Sequence, residues 1–456
     1  MKKTVFIIGF CLMSFFGFGQ LEINAELRPR GEVRHGYKAI PKEDKDAAIF
    51  ISQRTRLNLY YSHSKFKVGL AFQDVRVWGD EQIFTATGSF GDNASIDMNE
   101  GWIEIFAGKL NSFKIGRQYW VYEDERLFSK RNWNQHSIKY DGLLYKYEPE
   151  KIKIHLGFSL NNSADNLVGN DYTLYKEEYF YDDVNDTLII VKKPLESRLK
   201  SQNFIYISKK INDRLDFSFQ ALATGFHKQE SANTIYVKGT YGLYINYKPG
   251  IFSVKANGFY QNGKNINGQE VNAYFAHLKG IVKLDPVSLN AGVDYHSGQD
   301  QVKEKNNYQD KDHFFDLFYG VRHRFYGYMD LFENLSRASR NGGLVDIYTG
   351  LVYNVSKSVV LSLDYHYFRL ESRVYDPFIT DQILDKSLGS EIDLTMDVTI
   401  IPEIVITSGF STMFATSSME QLQRSAQKFS QNENLGTSYW GYVMITAKPK
   451  LFKSDK

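Results

Sequence analysis

The chain has 456 residues, and its 55 lysines and arginines nearly balance 53 aspartates and glutamates, leaving a net charge of +2. That balance excludes a nucleic-acid binder or basic membrane-surface protein acting through bulk charge, and a single cysteine excludes a disulfide framework. Aromatic residues make up 15% of the chain, an excess expected where aromatic girdles meet a membrane interface.

The first element is "MKKTVFIIGFCLMSFFGFGQ". Lys2 and Lys3 form a basic start, Val5 to Phe16 an apolar run, and Gly17 and Gly19 the small residues of a cleavage site. The pattern predicts an export signal over residues 1–19 and a mature chain of 20–456. The apolar run is shorter than the ~20 residues of a spanning helix. Removal of Cys11 with this segment would leave no thiol for catalysis or metal binding. No later stretch approaches ~18 uninterrupted apolar residues, so no membrane-spanning helix is expected.

The next segment, "LEINAELRPRGEVRH" (21–35), alternates strictly. Leu21, Ile23, Ala25, Leu27 and Val33 share one parity, and Glu22, Glu26, Arg28, Arg30, Glu32 and Arg34 the other. A period of two is a strand with two unlike faces, and this one is longer than the about 5–6 residues usual in soluble sheets. "FISQRTRLNLYY" repeats the pattern with Arg54 and Arg56 on the polar face. In "GLAFQDVRVWG" the phase slips, and a bulge near Gln73–Asp74 would keep Asp74 and Arg76 on the polar side. Further polar-face candidates are Glu100 and Glu104, Lys139 and Asp141, and Glu391 and Asp393. Parity in "FKIGRQYW" places Arg117 with Phe113 and Ile115, so it turns inward only after another slip.

The alternation continues through "KIHLGFSLN", "LDFSFQALAT", "VSLNAGVDYH" and "SEIDLTMDVTI". Short turns fall at 62–65, 108–111, 148–151, 210–214, 248–250, 284–287, 354–357 and 401–403. Longer polar segments lie between them, the largest at 161–200 and 297–342. Eight turns and nine loops imply about 18 strands. Short turns at one end, long loops at the other and no linker predict one all-β, antiparallel transmembrane barrel from about Leu21 to Phe452. Closure is the physical reason, because hydrocarbon offers no partner for an unpaired strand edge. The greasy parity meets lipid and the charged parity lines a wet lumen. The aromatic stretch "HFFDLFYGVRHRFYGYMDLF" within 297–343 is expected to fold into or over the pore mouth; a further pair of wall strands is the alternative.

Chemistry is sparse. No GxSxG, HExxH or P-loop string occurs, the ten histidines lack metal-ligand spacing, and no cofactor or metal is expected. "YDDVND" (181–186) reads as a solvated acidic turn before it reads as a calcium loop. The arginine-rich faces of the first strands suggest a ladder that narrows a pore and selects anions; a self-compensating ion network that stiffens the wall is the alternative.

The series "RPRGEVR", "RTRLNL", "QDVRVWG", "EGWIEI", "KIGRQ" and "RNWNQHSIKYDGL", with "FYGVRHRFYGYMDLF" later, resembles the alginate export family of outer-membrane porins. The resemblance implies a monomeric 18-stranded porin of the cell outer membrane with an arginine-rich constriction for an anionic polysaccharide or smaller anions. It would carry over Arg28, Arg30, Arg54, Arg56, Asp74, Arg76, Glu100 and Arg117 as pore-lining residues. Expected partners are outer-membrane lipid and lipopolysaccharide, the barrel-assembly machinery and the anionic solute, with no nucleic acid. A barrel hydrolase of lipid or peptide, or a closed barrel binding a partner through its loops, are the other function classes.

Overall fold

The computed structural model describes residues 19–79, 96–162, 175–182, 187–194, 198–228, 231–304, 307–318 and 320–454. The expected export signal lies outside them but for Gly19, as does the 183–186 part of the acidic turn. A wall of 18 antiparallel strands closes on itself. In chain order they are β1 Gly19–His35, β2 Ala48–His63, β3 Phe66–Val77, β4 Ile96–Ala107, β5 Asn111–Gln118 and β6 Tyr140–Tyr147. There follow β7 Ile152–Leu160, β8 Leu199–Asn212, β9 Leu215–Lys228, β10 Ser231–Tyr247, β11 Phe252–Gly263 and β12 Ala273–Leu284. The last are β13 Val287–His296, β14 Leu344–Asn354, β15 Val359–Arg369, β16 Ser387–Ile401, β17 Ile404–Ala415 and β18, which runs as Ser438–Ala447 and Lys450–Lys453. β1 pairs with β2 on one side and with both pieces of β18 on the other, from His35 opposite Tyr439 to Ile23 opposite Phe452. That pairing leaves the wall no edge.

The two faces follow the sequence parity. Glu26, Arg28, Arg30 and Glu32 are buried in the interior, while Leu27 and Val33 beside them are exposed. Leu243, Leu278, Leu363, Leu394, Phe410 and Val443 are exposed in the same way. In water this would be an inverted protein; in a bilayer it is the lipid-facing band. Each of the eight expected short turns joins a hairpin.

At the opposite end the connections are long, and two of them fill the lumen. β5 and β6 are only 8 residues each, against 17 and 16 for β1 and β2. Residues 119–139 therefore leave the wall early and turn inward. The second filling segment is 297–343. β13 pairs directly with β14 from Val287 opposite Tyr353 to His296 opposite Leu344, so this segment is not wall. Its aromatic side chains, Phe315, Tyr326 and Phe332 among them, are buried with Phe368, Leu388 and Trp440 in an apolar core inside the barrel. Two short helices, α1 Leu335–Ser339 and α2 Ser417–Ala426, cap that core, with Leu335, Met419 and Leu422 facing it. Thr416 caps the start of α2 by accepting the Met419 N–H.

The phase slip at β3 is resolved differently from expectation. β2 and β3 stay in unbroken register, with Thr55 opposite Asp74 and Gln53 opposite Arg76. The irregularity lies one strand over, where Ala71 faces Glu100 and Phe72 faces Met98, leaving Asn99 as the extra residue on β4. Asp74 and Arg76 consequently sit on the outward face near the upper end of β3, bonded to one another at 2.7 Å.

Candidate functional site

The arginines of β1 and β2 face inward, but Arg28, Arg30, Arg54 and Arg56 are largely covered. Residues 132–135 of the inward loop lie over them. The Arg28 guanidinium donates to the carbonyls of Asn132 (2.6 Å), Trp133 (3.1 Å) and Asn134 (3.0 Å) and to Gln135 Oε1 (2.9 Å). Arg54 reaches the Asn134 carbonyl (3.2 Å) and Asn132 Oδ1 (3.1 Å) and forms an ion pair with Glu26. Arg30 donates to Glu32 (2.8 Å) and the Trp133 carbonyl (3.1 Å) while lying over the Trp133 ring. Arg56 donates to Gln73 (2.8 Å) and to Ser137 (3.0 Å). All four are buried. A planar guanidinium with five fixed donors suits a chain turn whose carbonyls converge. The ladder thus clamps a loop to the wall rather than standing free in the lumen, while Arg28 also borders the lower cavity described below. Arg34, bonded to Glu32 at 2.9 Å, is the one member with a third of its side chain exposed (32%).

The other candidates divide by register. Glu100 is buried inside, accepting from Trp102 Nε1 at 3.1 Å and Tyr60 at 3.4 Å, and Glu104 bonds Lys146 at 2.9 Å. Arg117 and Asp141 stand opposite each other on the outward face, joined by two 2.8 Å bonds, so neither lines the lumen. Lys139 pairs with Asp97 at 2.8 Å. Glu391 and Asp393 face inward but lie beneath the second lumen segment, receiving the N–H groups of Met329 (2.7 Å) and Tyr328 (3.3 Å).

On the far wall the inward loop is held by Arg126. Its guanidinium lies between both Asp294 oxygens, His277 Nδ1 and the Tyr326 hydroxyl, and over the Phe325 ring. Burial opposes its charge, and Asp294 more than restores it. Glu123 on the same loop is tied to β9 through Ser218 and Gln220. Burial with Asp124 nearby pushes its carboxyl up to about 7, against the pull of those two donors.

Two cavities remain inside the barrel. An upper cavity of about 560 Å³ is lined by Phe226, Lys238, Asn267, Gln299, Arg322 and Asn334 among others. A lower cavity of about 550 Å³ is lined by Glu26, Arg28, Lys130, His323, Asp397 and Lys448 among others. A side lobe of about 210 Å³ joins the lower cavity at Arg324 and Tyr328 and carries Lys255, Lys279 and Asp364. Between upper and lower cavities is a neck of about 10 Å³ framed by Arg131, Trp133, Asn134, Val321, Arg322 and His323. At the neck His323 stacks on Trp133 (centroids 4.0 Å) and bonds Asp330 at 3.0 Å. Burial alone would raise the Asp330 carboxyl, but His323 and the Tyr37 hydroxyl hold it below its usual range.

Sequence parity could not find Arg126, Lys255, Lys279 or the neck. Lys255 and Lys279 have inward parity and stand directly opposite one another across β11 and β12, a signal available only once the strand register is known.

No protein-family model matches the chain, and no curated protein matches it in sequence. Solved structures do. Pseudomonas aeruginosa OprD superimposes with a TM-score of 0.58 at 12% identity, over 95% of this chain and 96% of that one. A double variant of OccD1 (OprD) gives 0.59 at 11% identity over 95% and 96%. Acinetobacter baumannii OccAB1 gives 0.58 at 10% identity over 95% and 97%. These neighbours overturn the resemblance to the alginate export porins: the likeness is to OprD and Occ barrels. At such identity the likeness carries the fold, and the chain is an outer-membrane β-barrel with the 18-stranded fold of those porins.

Proposed function

We propose that the protein is a passive channel for small hydrophilic solutes, with a mild preference for anions set in the lower half of its lumen. The observation that carries the reading is the pair of polar cavities of about 560 and 550 Å³ stacked through a closed barrel. The preference rests mainly on lysines, since Arg28, the ladder member that borders the lower cavity, has its guanidinium bonded to residues 132–135. Lys255 and Lys279 are half-buried, face each other, and make no ion pair among the described residues. Lys130 and Lys448 are likewise unpaired there and line the lower cavity. Asp364 and Asp397 oppose them, so the expected bias is modest. Low-dielectric walls focus the nearest fixed charges on a passing ion.

Reversal potentials in a potassium chloride gradient test this. The native pore is expected to favour chloride, with Lys255→Gln/Lys279→Gln reducing the preference and Arg54→Ala/Arg56→Ala changing it less. A cation-selective native pore would overturn it. The narrow neck favours a second reading, a closed barrel whose loops bind a partner; impermeability of both the native protein and its lumen-loop variants would establish that one.

A further inference from the structure

The neck has an internal asymmetry that bears on how a solute gets through. Residues 119–139 are fastened to opposite walls, by the arginines of β1 and β2 on one side and by Arg126 on Asp294 on the other. The second lumen segment is fastened at two places. Before the neck, Asp316 exchanges bonds with Gln261 through its carbonyl (2.7 Å) and its N–H (3.0 Å). After it, Met329 and Tyr328 sit on Glu391 and Asp393, and Lys38 N donates to the Met329 carbonyl at 2.7 Å. Residues 320–325 lie between these anchors and make no hydrogen bond to the wall among the described residues, where the His323 ring meets Trp440 of β18 edge-on (centroids 5.7 Å).

Their hydrogen bonds outside 317–333 all cross the seam to residues 124–131, among the described residues. Val321 N donates to the Glu125 carbonyl at 2.9 Å. Arg131 Nε donates to the Gly320 carbonyl at 3.0 Å, and its Nη2 to the Phe318 carbonyl at 2.8 Å. Arg324 reaches Glu125 Oε1 at 3.1 Å and the Asp124 carbonyl at 3.3 Å. Gly320 fits only because it has no side chain: a Cβ there would meet the Arg126 carbonyl oxygen at 2.0 Å. Beyond the seam, Tyr326 and Gly327 both take left-handed backbone angles (φ 66° and 79°), a place where the chain can bend without disturbing the anchored part.

We propose that residues 320–325 form a flap that closes the neck against the fixed loop, with Arg131 as its latch, and that solute passes only when the flap lifts. The inference rests on the channel reading above. Closing joins four charge-assisted bonds, two from Arg131 and two from Arg324, and one backbone bond, and the seam leaves a cavity of only about 10 Å³. Opening breaks those few bonds and leaves both anchored loops in place.

Single-channel recording in planar bilayers tests the flap with three variants in the full chain. Glu125→Cys/Val321→Cys, in a Cys11→Ser background, locks the seam when oxidised; Arg131→Ala removes the latch; Gly320→Ala wedges the seam. Oxidation is expected to lower the current at least tenfold, with recovery on reduction, and the other two to raise the open fraction, Arg131→Ala by at least about tenfold, since it loses two charge-assisted bonds. A cross-linked variant, verified by its gel migration, that conducts like the native protein would overturn the flap and leave the channel. A native protein that is silent while Arg131→Ala or Gly320→Ala conducts supports it. Silence of all three would overturn flap and channel together.

Discussion

Arg28 shows how one residue can be placed by sequence and still be misassigned. Its parity on β1 is readable without any structure, and parity fixes the face. What it meets lies 104 to 107 residues away, and three of its four acceptors are backbone carbonyls, which leave no mark in a side-chain pattern. Parity alone thus could not separate a solvated arginine ladder from an ion network, and the structure gives the network. The energetic consequence is testable. Arg54→Ala leaves Glu26 buried without its partner, a change that costs about 3–5 kcal/mol when a desolvated pair is broken, and it loosens residues 132–135, which Arg28 and Arg30 still hold. A lower temperature for loss of the folded gel form is expected, together with a larger single-channel conductance. Glu123 gives a second residue-level prediction. Its carboxyl is raised by burial to about 7, above the ordinary value of 4.5, so the folded state holds a proton that the unfolded chain releases. Its contribution to stability is then complete below about pH 4.5 and lost as the pH rises through about 7. Thermal stability should fall across that window, and Glu123→Gln should flatten the fall; an unchanged slope would remove Glu123 as its source.

At the scale of the element, the turns and strand faces were legible because each has a local cause. A two-residue period and a short polar turn need only neighbouring residues. The errors came where register decides. At β3 the slip in hydrophobic phase was real, yet the compensating bulge is carried by Asn99 on the next strand, so Asp74 and Arg76 remain outside. Arg117 and Asp141 form a pair only because β5 meets β6 in that register. They are partly exposed, at 35% and 62% of side-chain surface, and such pairs contribute about 0–1 kcal/mol. Arg117→Ala/Asp141→Ala should therefore leave folding temperature and ion selectivity within error of the native protein. A clear loss of anion preference would return this pair to the pathway. The brevity of β5 and β6 is the element-level feature with most consequence, since it releases residues 119–139 into the lumen below the rim.

For the whole molecule, an 18-stranded closed wall is wide enough for an aqueous channel, and the chain spends two long connections filling it. The aromatic richness of 313–332 signalled that this stretch does not float in solvent, and it is indeed part of a core built inside the barrel. Charge shows the opposite limit: a near-neutral total hides a lower lumen where lysines outnumber their unpaired acidic neighbours, because net charge says nothing of where register puts each group. These volumes set what can cross. Cavities of about 550 Å³ hold a solute of one or two sugar rings, whereas on the flap proposal the neck of about 10 Å³ passes such a solute only when residues 320–325 move. A threaded polymer would need the neck held open along its whole length of passage, against bonds that reclose behind each unit. Liposome swelling with solutes of graded size is expected to show entry of monosaccharides and small organic anions and a sharp cutoff beyond disaccharides. Gly320→Ala should raise the rate for the small solutes while shifting the cutoff little, because the anchored loop 119–139 still limits the opening. Entry of long uronate oligomers at rates near those of the monomer would show that both lumen loops move together, and that the clamp of β1 and β2 arginines is no clamp at all.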